Sequence, residues 1–183
     1  MATATLPPPP TALPADALAE VVDGVIVEKI VSIGSQWIAS RLHTRLDQFV
    51  EDHRLGIVVT EGVFVLEPDD QLKRRPDVAF VSADRWPVDT DPPMEGDWEV
   101  IPDLAVEVVS PHDTANAVAE KVREYFDHGV REVWVIYPVT REVYVHGSGE
   151  SFRVVGLAGA LETPLVPGWR LPLATLFRTP AAQ

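Results

Sequence analysis

Six consecutive residues, Leu104 to Val109 (LAVEVV), are apolar at odd and even positions alike, with Glu107 the one exception. Side chains alternate between the two faces of a strand, so such a run suits a strand covered on both sides. Two segments carry the pattern of covering helices. From Ser35 to about His53, Ile38, Leu42, Leu46, Phe49, Val50 and His53 recur at helical spacing, with Arg41, Arg45, Asp47 and Glu51 elsewhere on the circumference. The second helix follows SPHDT, with Asp113 or Thr114 as the N-cap, and runs through AVAEKVREYFDHG to a stop at Gly129.

The remaining segments read as strands and turns. Asp23-Gly24 precedes VIVEKIVSI, read as a strand, and Gly56 precedes two β-rich runs, IVVTEGVFVLE and PDVAFVS, separated by the polar turn PDDQLKRR. Val130 to Tyr137 and Glu142 to His146 form two further strands turning at PVTR, and Phe152 to Val155 a last one. The irregular segment LETPLVPGWRLPLATLF should pack its apolar residues on the core, as should Trp134 and Trp169. Helix, three strands, helix and further strands describe one α/β domain with a mixed central sheet flanked by helices. At 183 residues the chain suits a single domain, placed at 16–178. Residues 1–15, rich in Pro and Ala, and 179–183 are read as disordered tails.

Composition narrows the chemistry. No apolar run reaches the ~18 residues a membrane span requires, and the N-terminus lacks a signal-peptide pattern, so no membrane partner is expected. The chain has no cysteine, which excludes disulfides, thiolate zinc sites and cysteine nucleophiles and agrees with a cytoplasmic location. Any metal must be held by oxygen or imidazole. The five histidines show no close ligand spacing, and neither a glycine-rich phosphate loop nor a nucleophile elbow is present. The net charge of −13 argues against diffuse nucleic-acid affinity, although not against a local basic groove.

Glu107 needs a partner, because an ionised carboxylate inside an apolar strand is strongly penalised unless a cation, a metal or several donors meet it. Asp77 is similar: it follows Pro76 and directly precedes Val78, Ala79, Phe80 and Val81. Carboxylates on neighbouring strands can together bind a hard divalent cation, Mg²⁺ or Mn²⁺. The structural alternatives are a strand cap for Asp77 and a buried ion pair for Glu107. Asp103 repeats the Pro-Asp dipeptide, but four residues of strand put it roughly 13 Å from Glu107, too far to share one metal. It is read as a strand-entry residue. Lys121 lies at the edge of the stripe formed by Val118, Val122, Tyr125 and Phe126, whence its stem can deliver an ammonium to the strand end. Only three of fifteen basic residues are lysine (Lys29, Lys73, Lys121), and an ordinary solvent-facing lysine is the competing reading.

Charge is uneven. Lys73, Arg74, Arg75 and Arg85 face only Asp77 and Asp84 between residues 71 and 85, whereas 86–103 carries six acids (Asp89, Asp91, Glu95, Asp97, Glu99, Asp103) and no cation. This acidic loop is either a solvated connection or a restraint bordering an active cleft to which the four cations attract phosphates. Trp86 and Trp98, which flank it, could anchor it.

The runs RRPDVAFVS, then PDLAVEVVSPHDTANAVAEKVREYFDHGVREVWVIYP, then PLVPGWRLPLATLF resemble the Uma-two family of bacterial restriction-endonuclease-like proteins, within the PD-(D/E)XK nuclease superfamily. The match spans about Asp16 to Phe177. The resemblance implies a restriction-endonuclease-like core and metal-dependent hydrolysis of nucleic acid, with DNA expected before RNA; a homodimer is a separate expectation. Asp77 resembles the superfamily's first carboxylate and Glu107 its second. The position two residues beyond Glu107, where the superfamily lysine is expected, is Val109, and Lys121 on the following helix is similar to the family's replacement. By this resemblance Asp77, Glu107 and the Val108 backbone carbonyl would hold Mg²⁺ (or Mn²⁺), and Lys121 would orient or deprotonate the attacking water or stabilise transition-state charge. Glu20, ahead of Asp23-Gly24, also resembles a family acid without an assigned role. The alternative is a catalytically inactive descendant of the fold acting as a binding or regulatory module.

Overall fold

The computed structural model describes residues 18–67, 71–148 and 151–177. The tails expected at 1–15 and 179–183 lie outside these residues, as do the ends of the 16–178 domain and part of the PDDQLKRR turn. In chain order the elements are β1 (Ala19–Val22), β2 (Val25–Glu28), α1 (Ile33–Asp52), β3 (Gly56–Val59), β4 (Phe64–Val65), β5 (Lys73–Arg74), β6 (Val78–Ser82) and β7 (Leu104–Val108). They continue with α2 (Ala115–Asp127), β8 (Glu132–Tyr137), β9 (Glu142–Gly147), β10 (Phe152–Val155), β11 (Ala160–Glu162), β12 (Arg170–Pro172) and α3 (Leu173–Leu176).

The central sheet has six strands in the order β10, β9, β8, β7, β6, β3. β7 and β8 run parallel and every other neighbouring pair is antiparallel, so the sheet is mixed, as expected. The parallel pair needs a crossover long enough to return the chain, which α2 supplies. All five residues of β7 are buried. Leu104, Val106 and Val108 pack with Ile38, Leu42 and Leu46 of α1 and with Trp169, Leu171 and Leu173 of the C-terminal segment, while Ala105 faces Tyr125 of α2, Phe64 and Trp98. Both faces are therefore covered. Glu107 has the parity of Ala105 and belongs to the α2 face.

Local chemistry sets the helix starts. Ser32 caps α1 through a reciprocal box with Ser35, so this helix begins two residues before the expected Ser35. Thr114, rather than Asp113, caps α2 by accepting the Ala117 N–H at 3.2 Å. Asp113 instead accepts the Ser110 N–H at 2.6 Å and tightens the entry to the helix.

A second sheet is ordered β2, β1, β5, β4, and its strand β5 leads directly into β6. Its first hairpin pairs β1 with β2 around Asp23 (φ 49°) and Gly24 (φ 72°), the two positive dihedrals that a type I′ turn requires. β1 escaped the sequence reading, and the strand expected over VIVEKIVSI ends at Glu28 because the chain turns there toward the α1 cap. Gly56 enters β3 at φ 154°, where an added Cβ would stand 2.1 Å from the Val81 carbonyl oxygen. Gly56→Ala should therefore cost about 2–3 kcal/mol, read as a lower urea midpoint, because the obstacle is backbone that cannot step aside.

Candidate functional site

Asp77 and Glu107 meet through strand register. Val78 pairs with Val106 in the antiparallel β6–β7 ladder, so one step further along Asp77 stands opposite Glu107. Directly opposed residues share a face, with Cβ atoms ~5 Å apart. The Asp77 N–H donates to the Val106 carbonyl at 2.9 Å, and Asp77 Oδ2 accepts the Val108 N–H at 2.5 Å. The carboxylate is thus pinned across the end of β7. Asp77 is 4% and Glu107 8% exposed, which makes both of them buried acids.

Three further elements close around this pair. From α2, Tyr125 Oη donates to Glu107 Oε1 at 2.7 Å and Lys121 Nζ lies 3.4 Å from Glu107 Oε2. From β1, Glu20 accepts from Lys121 at 3.1 and 3.2 Å and from Arg74 Nη1 at 2.8 Å. Arg74 also pairs with Glu124 of α2. From the residue after β2, Lys29 Nζ donates to Asp77 Oδ1 (2.7 Å), to the Arg75 carbonyl (2.7 Å) and to Glu61 Oε2 (3.0 Å). Of these groups Glu20, Lys29, Arg74, Asp77, Glu107 and Lys121 line a cavity of about 390 Å³. A larger cavity of about 830 Å³, bordered by Trp37, Tyr137 and Val139, has no carboxylate in its lining and offers no comparable chemistry.

The electrostatics follow from burial against pairing. Burial raises the pKa of Glu107 above the ordinary glutamate value, and Asp77 and Glu20 add to the rise, while Lys121 and Lys29 oppose it. Burial likewise raises Asp77 against the opposing pull of Lys29 and the Val108 N–H. Glu20 goes the other way: burial would raise it, but Lys121 and Arg74 hold it below the usual range. For Lys121 burial favours the neutral amine, yet Glu107 and Glu20 outweigh it and keep the group protonated. The same balance, with Glu107, Asp77 and Glu61 as the anions, holds Lys29 well above an ordinary lysine. The Tyr125 hydroxyl is raised by burial and by Glu107, so it serves as a donor.

The sequence expectations divide accordingly. Asp77, Glu107, Val108 and Lys121 come together in one cavity. Asp103 does not: it is 1% exposed at the far end of β7, where it accepts the Ser82 N–H at 2.8 Å and pairs with Arg85 and Arg131. Lys29, Tyr125 and Glu61 were missed as site residues. The rarity of lysine in this chain was the one signal that could have marked Lys29, and Tyr125 read only as part of an apolar stripe. Glu20 gains a definite place as the acid between Arg74 and Lys121.

The acidic-loop expectation needs correction. Asp97 pairs with Lys73 at 2.7 Å, Asp89 with Arg54 at 2.7 Å and Asp103 with Arg85 at 3.1 Å, so these acids are compensated by cations from elsewhere in the chain. No residue of 86–103 lines the carboxylate cavity. The four cations expected to attract phosphate are engaged within the protein: Lys73 and Arg74 are buried in ion pairs, Arg75 donates to the Ala19 and Glu61 carbonyls, and Arg85 to Ile101 and Gly129. Trp98 does anchor the loop, stacked on Phe64 at 5.6 Å with Trp86 edge-on at 5.4 Å.

Residues 8–174 match the family model described as "Uma2: Putative restriction endonuclease". Among solved structures, a crystal structure described as "a putative nuclease belonging to DUF820 from Anabaena variabilis ATCC 29413" aligns with a TM-score of 0.73 and 20% sequence identity, over 87% of this chain and 89% of that one. At that identity the likeness speaks to the fold. No curated protein matches the chain.

Proposed function

This chain belongs to the Uma2 restriction endonuclease family, and we propose that it is a metal-dependent endonuclease hydrolysing phosphodiester bonds of nucleic acid, DNA in preference to RNA. The observation that carries the reading is the opposition of Asp77 and Glu107 on adjacent strands with Lys121 beside Glu107. The preference for DNA rests on the family description. Among the described residues no three Asp, Glu, His or Cys side chains are placed to hold one metal ion together, and the set proposed here is two carboxylates and a carbonyl. That oxygen-only set fits Mg²⁺ or Mn²⁺, since Mg²⁺ is commonly held by one or two carboxylates and keeps several waters.

Asp77, Glu107 and the Val108 carbonyl are the proposed ligands. A divalent ion bound there would lower the pKa of its water and neutralise charge growing on the scissile phosphate. Lys121, kept protonated by Glu107 and Glu20, enters as a donor that orients the attacking water and stabilises negative charge, rather than as a general base. Tyr125 holds Glu107 in the rotamer that faces the cavity. We place this activity in a single domain, 16–178, and in the cytoplasm, and we read exposed Ile33 and Val139 beside the apolar cavity as a self-association face of a homodimer.

The test is incubation with single- and double-stranded DNA and RNA in Mg²⁺ or Mn²⁺. The wild type should cleave DNA in metal and not in chelator, and Glu107→Ala should not cleave. Metal-independent cleavage, or cleavage retained in Glu107→Ala, would sink the proposal. No cleavage by a wild type that still binds nucleic acid would favour the non-catalytic module.

A further inference from the structure

We infer that Lys29 is a built-in counter-cation that holds the Asp77 oxygen the divalent ion would take, and that it must withdraw before the site is loaded; this rests on the metal-dependent reading above. The Lys29 ammonium sits in an all-oxygen shell of two carboxylates, Asp77 Oδ1 and Glu61 Oε2, and the Arg75 carbonyl, at 2.7–3.0 Å. That is the donor chemistry of a hard cation site, filled by an ammonium. Both oxygens of Asp77 already accept a hydrogen bond, Oδ2 from the Val108 N–H and Oδ1 from Lys29. An ion that takes Asp77 Oδ1 as a ligand stands within a few ångströms of the Lys29 ammonium, and like charges that close repel, so the two compete.

The placement of Lys29 also makes withdrawal feasible. It follows β2, the outermost strand of its sheet, whose four residues are all exposed. Its backbone is held by a hydrogen bond from its own N–H to the Leu18 carbonyl at 2.8 Å, not by core packing. Swinging the side chain out breaks its three hydrogen bonds and leaves the α1 and β7 contacts intact. Lys121 is poised differently. It touches Glu107 and Glu20 but not Asp77, so it can stay when the ion enters.

The experiment is Mn²⁺ titration by calorimetry on full-length wild type, Lys29→Met, Lys29→Gln, Lys29→Arg and Asp77→Asn, with a crystal structure of the Mn²⁺-loaded wild type. Both neutral variants are included so that if unpaired carboxylates unfold one, the other still tests the inference, and melting curves select the folded one. It should bind Mn²⁺ at least about tenfold more tightly than wild type, because a positive charge within a few ångströms of the ion is gone. Lys29→Arg, which retains the charge, should not gain affinity. In the loaded wild type Lys29 Nζ should have left Asp77 Oδ1. Affinity unchanged or weaker in the neutral variants, or Nζ still on Oδ1 with Mn²⁺ bound to Asp77, would overturn the inference while leaving the metal site standing. Absence of Mn²⁺ binding in every protein, or binding unaffected by Asp77→Asn, would overturn the metal site and the inference with it.

Discussion

Glu107→Gln should lower metal-dependent cleavage by about a thousandfold or more while leaving the fold at least as stable as wild type. The loss follows because the substitution removes a ligand charge, and several kcal/mol of metal-derived transition-state stabilisation corresponds to about three decades of rate. The stability follows from the direction of the Glu107 pKa. Burial raises it, so the folded protein holds the ionised carboxylate less readily than water does. The sign can be checked through linkage: with the folded pKa above the unfolded one, the fold gains stability as pH falls from the raised value toward the ordinary glutamate value. Glutamine keeps an oxygen for the Tyr125 hydroxyl and removes that penalty. Cleavage assays, Mn²⁺-dependent melting shifts and urea midpoints across pH on both proteins test this. A variant that loses activity together with several kcal/mol of stability would show that Glu107 serves the fold instead.

Arg74→Met should have the opposite profile, costing about 3–5 kcal/mol of folding stability. Arg74 is 5% exposed and lies between Glu20 and Glu124, and Glu20 is itself 3% exposed. Removing one partner of a buried ion pair leaves an uncompensated charge, which is far costlier than the pair is worth. Lys121 and the Arg75 N–H still reach Glu20, which places the expected cost near the lower end of that range. Adding Glu20→Gln should recover part of the loss, because the stranded charge is then gone. Urea midpoints of the two single variants and the double variant decide it, and a double variant less stable than Arg74→Met would refute the charge argument.

Much of the fold was legible because local physics dictated it. The two-sided apolar run of β7 implied a covered strand, the helical stripes implied the covers, and the Asp-Gly pair before Val25 marked a turn whose first strand was nonetheless missed. β1 has only four residues and an acid within it, so alternation had little length in which to show. The second sheet, made of two- and four-residue strands, is built from register and hydrogen bonds that no short pattern announces.

For the candidate site, the chain's own order of residues marked Asp77 and Glu107 as carboxylates in need of partners, because an acid among valines and alanines is conspicuous, but it left a strand cap and a buried ion pair as open as a metal site. It put Lys121 within reach of the strand end without deciding between that place and solvent, and the structure sets it beside Glu107. Which partner each carboxylate takes was settled by tertiary structure alone. Lys29 lies 48 residues from Asp77, and Arg74 lies 54 from Glu20 and 50 from Glu124. Ion pairing depends on distance in space, and only the folded arrangement of the small sheet, α2 and the central sheet brings these charges within 3 Å. The same physics undid the reading of the acidic loop: acids that are uncompensated along the chain met Arg54, Lys73 and Arg85 once the chain had folded.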